Sequence, residues 1–120
     1  MRKIRTTNPE LVNIVNFLKK QSRENNVGIW RDAAERLSKP RRNALAVNVS
    51  RLNRYTHKSE TVIVPGKVLG TGRIGHPLTV GAFAFSAKAR EKIEAAKGKC
   101  LSLDGLVRKD PKGSKVKIIG

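Results

Sequence analysis

Leu11, Ile14, Val15 and Leu18 recur at the spacing of one helical face, while Asn13, Asn16, Lys19 and Lys20 fall off it. Asn8-Pro9-Glu10 predicts where that helix starts. It offers a capping side chain, proline at the first helical position and an acid near the positive end of the dipole. Asn25-Asn26-Val27-Gly28 reads as a loop. Trp30, Ala33, Ala34 and Leu37 repeat the helical pattern until Pro40 forbids continuation. The two alanines would let a neighbour approach closely.

Beyond Pro40 the period changes. Ala44 to Val49 alternates weakly and predicts a short strand, and Ser50 can cap a helical turn over Arg51 to Tyr55. Thr61 to Val64 is β-branched and predicts a buried strand closed by Pro65-Gly66. A glycine-rich stretch, Gly66 to Gly75, leads through His76-Pro77 into a second strand, Leu78 to Phe85. Ser86 caps a third helix with Ala89, Ile93 and Ala96 inward, and Gly98 stops it. Arg90 and Glu94 stand four apart and can form a weak ion pair. Cys100 to Leu103 is short and apolar, Asp110-Pro111-Lys112-Gly113 is a turn, and Lys115 to Ile118 alternates as a terminal strand. The order αα, β, ββα, β predicts an α/β or α+β arrangement of short strands. With 120 residues, one small domain is expected, burying roughly two thirds of its unfolded surface. Its expected parts are a basic arm (1–7), a helical part (8–38), a basic linker (39–46) and an α/β body (47–120).

Charge changes the picture. The chain carries 26 Lys+Arg against 9 Asp+Glu, formally +17, and no acid lies between Glu60 and Glu91. Such a charge opposes a compact fold unless something anionic is near, and nucleic acid is the commonest partner of matching density. The charge is spread evenly, with 14 basic and 5 acidic groups in residues 1–60 and 12 and 4 in 61–120. That spread suits a folded body touching phosphates on several sides rather than a tail. No apolar run approaches the ~20 residues that span a bilayer, and the basic start lacks the apolar core of a secretory signal. Cys100 stands alone, which fits a reducing cytosol.

The candidate chemistry is mostly negative. Gly70-Thr71-Gly72-Arg73-Ile74-Gly75 matches G-x-G-x-x-G, but no helix is predicted to open after it and no acid follows ~20 residues on at a strand end, as a dinucleotide site requires. The glycines either let backbone N–H groups approach phosphate or only supply tight turns. Gly81-Ala82-Phe83-Ala84-Phe85 would put both phenylalanines on one face. Without a second aromatic strand, core packing is favoured over base stacking. Two histidines, one cysteine and few acids allow no zinc spacing, and no cofactor or metal is expected. Cys100, between Lys99 and Leu101, reads as a core thiol. No paired carboxylates or nucleophile–base arrangement suggests an enzyme.

The basic groups with no nearby acid point to RNA phosphate. The linker residues Lys39, Arg41 and Arg42 lead into Asn48, Arg51 and Arg54, with Lys58, Asn53 and Tyr55 close by. Arg2, Lys3 and Arg5 form a second anchor, and Lys67, Arg73 and His76 mark the glycine-rich stretch. Arginine grips phosphate bidentately and stacks on bases. A free-standing DNA-binding regulator shares the charge. Its only candidate reading helix, the second, carries Asp32 and Glu35 beside Arg31 and Arg36.

Two segments carry a resemblance, Thr61-Val62-Ile63-Val64-Pro65-Gly66-Lys67-Val68-Leu69-Gly70-Thr71-Gly72 and Leu78-Thr79-Val80-Gly81-Ala82-Phe83-Ala84-Phe85-Ser86-Ala87-Lys88-Ala89. They resemble the signature of the fifteen/eighteen-e family of large-subunit ribosomal proteins. Thr7-Asn8-Pro9-Glu10-Leu11, Val47-Asn48-Val49-Ser50-Arg51-Leu52 and the ending Gly113 to Gly120 resemble its eighteen-e branch, and the compact length resembles the archaeal form. The resemblance implies a small α/β fold with N-terminal helices and irregular β-β-α turns of short strands. It also implies a structural, non-catalytic role in the cytoplasm on large-subunit ribosomal RNA, beside neighbouring large-subunit proteins, with no membrane and no small-molecule substrate.

Overall fold

A computed structural model describes residues 9–38, 46–113 and 115–119. Its elements run α1 (Pro9–Asn25), α2 (Gly28–Ser38), β1 (Ala46–Asn48), α3 (Val49–Tyr55), β2 (Glu60–Leu69), β3 (Leu78–Phe85), α4 (Ala87–Ala95), β4 (Lys99–Ser102), α5 (Leu103–Lys109) and β5 (Val116–Ile118). The helix begins at Pro9 as the sequence predicts, while the arm, Asn8 and residues 39–45 of the linker lie outside the described residues, and Ala46 belongs to β1.

The strands order as β1-β2-β3-β4, all parallel, and β5 also pairs with β2. Because β3 occupies one side of β2, β1 and β5 share the other, β5 beside residues 61–63 and β1 beside 67–69. A parallel sheet is covered on both faces. One face carries Val62, Val64, Val68, Val80 and Ala82 against Val49 and Leu52 of α3 and Ala89 and Ile93 of α4. The other carries Ile63 against α1, α2 and α5 through Leu11, Val15, Leu18, Trp30, Leu37 and Leu106. The result is a three-layer α/β/α body. Trp30 is fully buried, and its indole Nε1–H donates to the Pro111 carbonyl at 2.8 Å, which ties α2 to the predicted 110–113 turn.

Several expectations change. β2 does not close at Pro65-Gly66 but runs on to Leu69, so Gly66 and Lys67 belong to the sheet. The register shifts between Val64 and Lys67, where Pro65 and Gly66 oppose the single residue Phe83. A bulge tolerates the missing proline N–H that a regular ladder would not. Phe83 and Phe85 do not act together: Phe83 packs with the α1–α2–α5 cluster and Phe85 with the α3–α4 cluster. α3 starts at Val49 rather than after Ser50, whose N–H instead meets the Thr71 carbonyl at 3.2 Å. Ser86 does cap α4, accepting from Ala89 N at 3.1 Å. The left-handed residue that ends α4 is Lys97 (φ 69°), with Gly98 N–H returning to the Ile93 carbonyl at 2.9 Å. Arg90 lies over the Phe85 ring at 5.1 Å, and no ion pair joins it to Glu94.

Helix α5 is not foreseen in the pattern. Ser102 accepts from Gly105 N at 3.2 Å, and Leu103, Leu106 and Val107 are buried. Its seat on the sheet depends on Gly81, where a Cβ would stand 2.6 Å from Leu106 Cδ2 and 2.8 Å from Leu106 Cβ. Gly81→Ala must therefore push α5 outward. We expect a loss of about 1–3 kcal/mol, the usual range for overpacking, measured by urea denaturation.

Candidate nucleic-acid interface

α3 is seven residues long, too short to be stable alone. Val49 and Leu52 bury against the sheet, which turns Arg51, Arg54 and Tyr55 outward. The Arg51 guanidinium lies 5.9 Å from the Tyr55 ring centroid, and Tyr55 is 53% exposed, a large hydrophobic side chain in the open. At the helix end the buried Thr56 hydroxyl donates to the Leu52 carbonyl at 2.6 Å. Its oxygen therefore accepts from His76 Nε2 at 2.7 Å, which puts the ring proton on that nitrogen.

Residues 70–77 run alongside α3 in the same layer. Thr71 O accepts from Ser50 N, Gly75 N–H donates to Asn53 Oδ1 at 2.9 Å, and Pro77 O accepts from Ser59 N at 2.7 Å. Ile74 packs down onto the α3–α4 cluster. The other flank meets α4, whose Lys92 ammonium donates to the carbonyls of Gly70 and Gly72, the latter at 2.7 Å. A Cβ on Gly70 would lie 2.6 Å from Lys88 Cβ. One on Gly72 (φ 102°) would lie 2.3 Å from Ser50 Cβ. These two glycines are thus demanded by the close approach of two helices. The atoms that converge from the loop are carbonyls, and they converge on a lysine.

Ion pairing differs between the helices. On α1 and α2, Lys20 pairs with Glu24 (4.0 Å), Arg31 with Glu35 (3.5 Å) and Arg36 with Asp32 (3.2 Å). Around α3 and the loop, Arg51, Arg54, Lys58, Arg73 and Lys88 are exposed, and none pairs with a carboxylate among the described residues. Glu60, at the edge of this region, is already engaged. It accepts from His57 N–H and lies 3.5 Å from Lys117, which also donates to the Tyr55 carbonyl at 3.1 Å.

Of the residues singled out from sequence, Arg51, Arg54 and Arg73 stand on the α3–loop layer. Lys67 sits apart from the loop, in β2 between Ala46 of β1 and Ala84 of β3. Asn48 occupies the N-cap position of α3 without a side-chain capping bond, and its Oδ1 is buried with no hydrogen-bond partner among the described residues. His76 is half-buried and engaged with Thr56. Arg2, Lys3, Arg5, Lys39, Arg41 and Arg42 lie outside the described residues. Lys92 was missed because its partners are backbone carbonyls 20 and 22 residues away, which leave no mark in a sequence pattern.

Cys100 packs against the α3–α4 cluster. Burial raises its thiol above the ordinary value, with Arg90 opposing, so it stays protonated and is a poor nucleophile. No group of His, Cys, Asp or Glu able to hold a metal ion occurs among the described residues. No helix among them is long and apolar enough to cross a membrane.

Together these features define a small, strongly basic α/β protein whose cations cluster around α3 and the adjoining loop. The profile of the family described as "Ribosomal protein 60S L18 and 50S L18e" matches residues 2–120. The chain belongs to this family of large-subunit ribosomal proteins. It is similar to proteins named "Large ribosomal subunit protein eL18" from three archaea. That of Methanothermobacter thermautotrophicus is 47% identical over 119 residues, covering 99% of this chain and 98% of the relative. Those of Methanoregula boonei (48%, 98% of each chain) and Methanococcus maripaludis (44%, 99% of each) match as fully. The relatives are ribosomal proteins, and none of these is named for a catalytic activity.

Two outcomes test this local structure. Lys92→Met strands two carbonyls, so amide exchange over residues 71–76 should quicken and stability should fall by about 1–3 kcal/mol. The His57 N–H bond, aided by the Lys117 charge against partial burial, holds the Glu60 carboxyl below its ordinary 4.5. Its stabilising effect is therefore complete above that value and is lost as pH falls through the lowered one. Denaturation midpoints of the wild type and Glu60→Gln should differ at pH 7 and converge in acid.

Proposed function

We propose that this chain binds folded large-subunit ribosomal RNA through the α3–loop layer, and that it stabilises that RNA during subunit assembly and in the translating ribosome. The observation that carries the reading is the cluster of carboxylate-free cations around α3 and the loop. Lys20, Arg31 and Arg36 pair within α1 and α2, while Arg51, Arg54, Lys58, Arg73 and Lys88 around α3 and the loop, and Lys67 in β2, have no carboxylate partner among the described residues. Unpaired arginines on a rigid layer release counterions when they meet phosphate, and their forks grip it bidentately. Tyr55, held open beside Arg51, adds a stacking surface for an unpaired base. The arm residues Arg2, Lys3 and Arg5 and the linker residues Lys39, Arg41 and Arg42 extend the same contact, and Asn48 and His76 join it where α3 meets the sheet and the loop. Partners are then the RNA and the large-subunit proteins beside it, with the chain located on cytoplasmic ribosomes.

A DNA-binding regulator is disfavoured by α2, whose Arg31 and Arg36 are spent on Glu35 and Asp32. Sedimentation of native lysate should place the chain in the large subunit, released only at high salt. A chain found free or on DNA at moderate salt would reverse the reading. Arg51→Ala with Arg54→Ala should weaken RNA binding and lower the salt slope by about one unit per arginine. Unchanged affinity and slope would remove α3 from the interface.

A further inference from the structure

On the opposite face of the sheet an open groove of about 450 Å³ lies between α1, the ends of β3 and β4, and α5. Its walls include the half-buried Ile14, Phe17 and Phe83, and its polar groups include Asn13, Asp104 and Arg108. The Arg108 guanidinium lies 5.8 Å from the Phe17 ring centroid. Asp104 and Arg108 are four residues apart on α5, yet no ion pair joins them and neither meets another charged group among the described residues.

We infer that this groove receives a single extruded guanine of the RNA. The inference rests on the RNA-binding reading above but concerns a different face of the molecule. The volume suits one small ligand and is too small for a packed helix. Phe17 and Phe83 offer apolar surface for a base, and single-stranded bases are recognised by stacking together with hydrogen bonds to their Watson–Crick edges. The carboxylate selects among bases. Asp104 only accepts, and it would repel phosphate, so it needs a base edge that donates. Guanine alone presents two adjacent donors, N1–H and the N2 amine, which match the two carboxylate oxygens. Arg108, exposed at the rim, is left to meet the phosphate of that nucleotide. A carboxylate beside an unpaired arginine is an odd surface for generic polyanion binding and a fitting one for a purine nucleotide with a donor edge.

The isotopically labelled full chain tests this by nuclear magnetic resonance, titrated with 5′-GMP, 5′-AMP and 5′-IMP and separately with an RNA hairpin. GMP should shift the amides of Asn13, Phe17, Phe83 and Asp104 and bind about tenfold more tightly than AMP, as one bidentate pair allows. IMP, which lacks the amine, should fall between them, and Asp104→Asn should erase the preference. Equal binding of the three nucleotides, or no shift in the groove, overturns the inference. If the hairpin shifts α3 and residues 70–77 while GMP leaves the groove unmoved, only the guanine site fails. If the hairpin moves neither α3 nor the loop, the proposed interface itself fails. Ultraviolet cross-linking of native large subunits provides the check in the assembled state. A guanosine adduct on the peptide holding Phe17 or Phe83 supports the site. A neighbouring protein's side chain cross-linked there overturns it.

Discussion

β2 and β3 are parallel neighbours, yet residues 70–77 join them with no helix. A parallel crossover ordinarily uses a helix, which satisfies its own backbone while it covers the sheet. Here the connection must cover the sheet with Ile74 and find outside partners for its polar groups. Ser50, Asn53 and Lys92 supply them, and Gly70 and Gly72 let α4 and α3 come near enough to do so. The position of α3, and with it the outward set of Arg51, Arg54 and Tyr55, depends on that packing.

This constraint accounts for two features that otherwise look like phosphate chemistry. Two glycines of the G-x-G-x-x-G run are required by helices crowding the loop, since Gly70 meets the α4 backbone and Gly72 meets Ser50. Lys92, in the midst of a basic chain, is a structural cation whose charge is taken up by carbonyls. Removing such residues from the tally sharpens the cationic face. What remains on α3 and the loop are Arg51, Arg54 and Arg73, which have no carboxylate partner among the described residues.

The two faces of the sheet are chemically unlike. The α1–α2 side carries i,i+4 ion pairs, along with a groove that mixes aromatic rings, a carboxylate and an arginine. On the other side Glu60, beside α3, is tied to His57 and Lys117, and the remaining acids, Glu91 and Glu94, stand on α4. The proposed phosphate contacts and the proposed base site therefore fall on different surfaces of one small body.

The sequence by itself determined the helices α1, α2 and α4, the strand from Leu78 to Phe85, the 110–113 turn, the net charge and the family. These follow from local information: apolar period, caps, proline, and runs of residues quoted in order. Tertiary structure decided the rest. It carried β2 through Pro65-Gly66 with a bulge, because the partner strand could absorb an extra residue. It made α5 a helix, because Leu103, Leu106 and Val107 found the space Gly81 leaves. It parted Phe83 from Phe85, moved the start of α3 to Val49, and turned Arg90 from Glu94 to an aromatic ring. Whether a glycine cradles phosphate or admits a helix, and whether a lysine is free or tethered, depends on what lies across the layer. No window of sequence contains that neighbour.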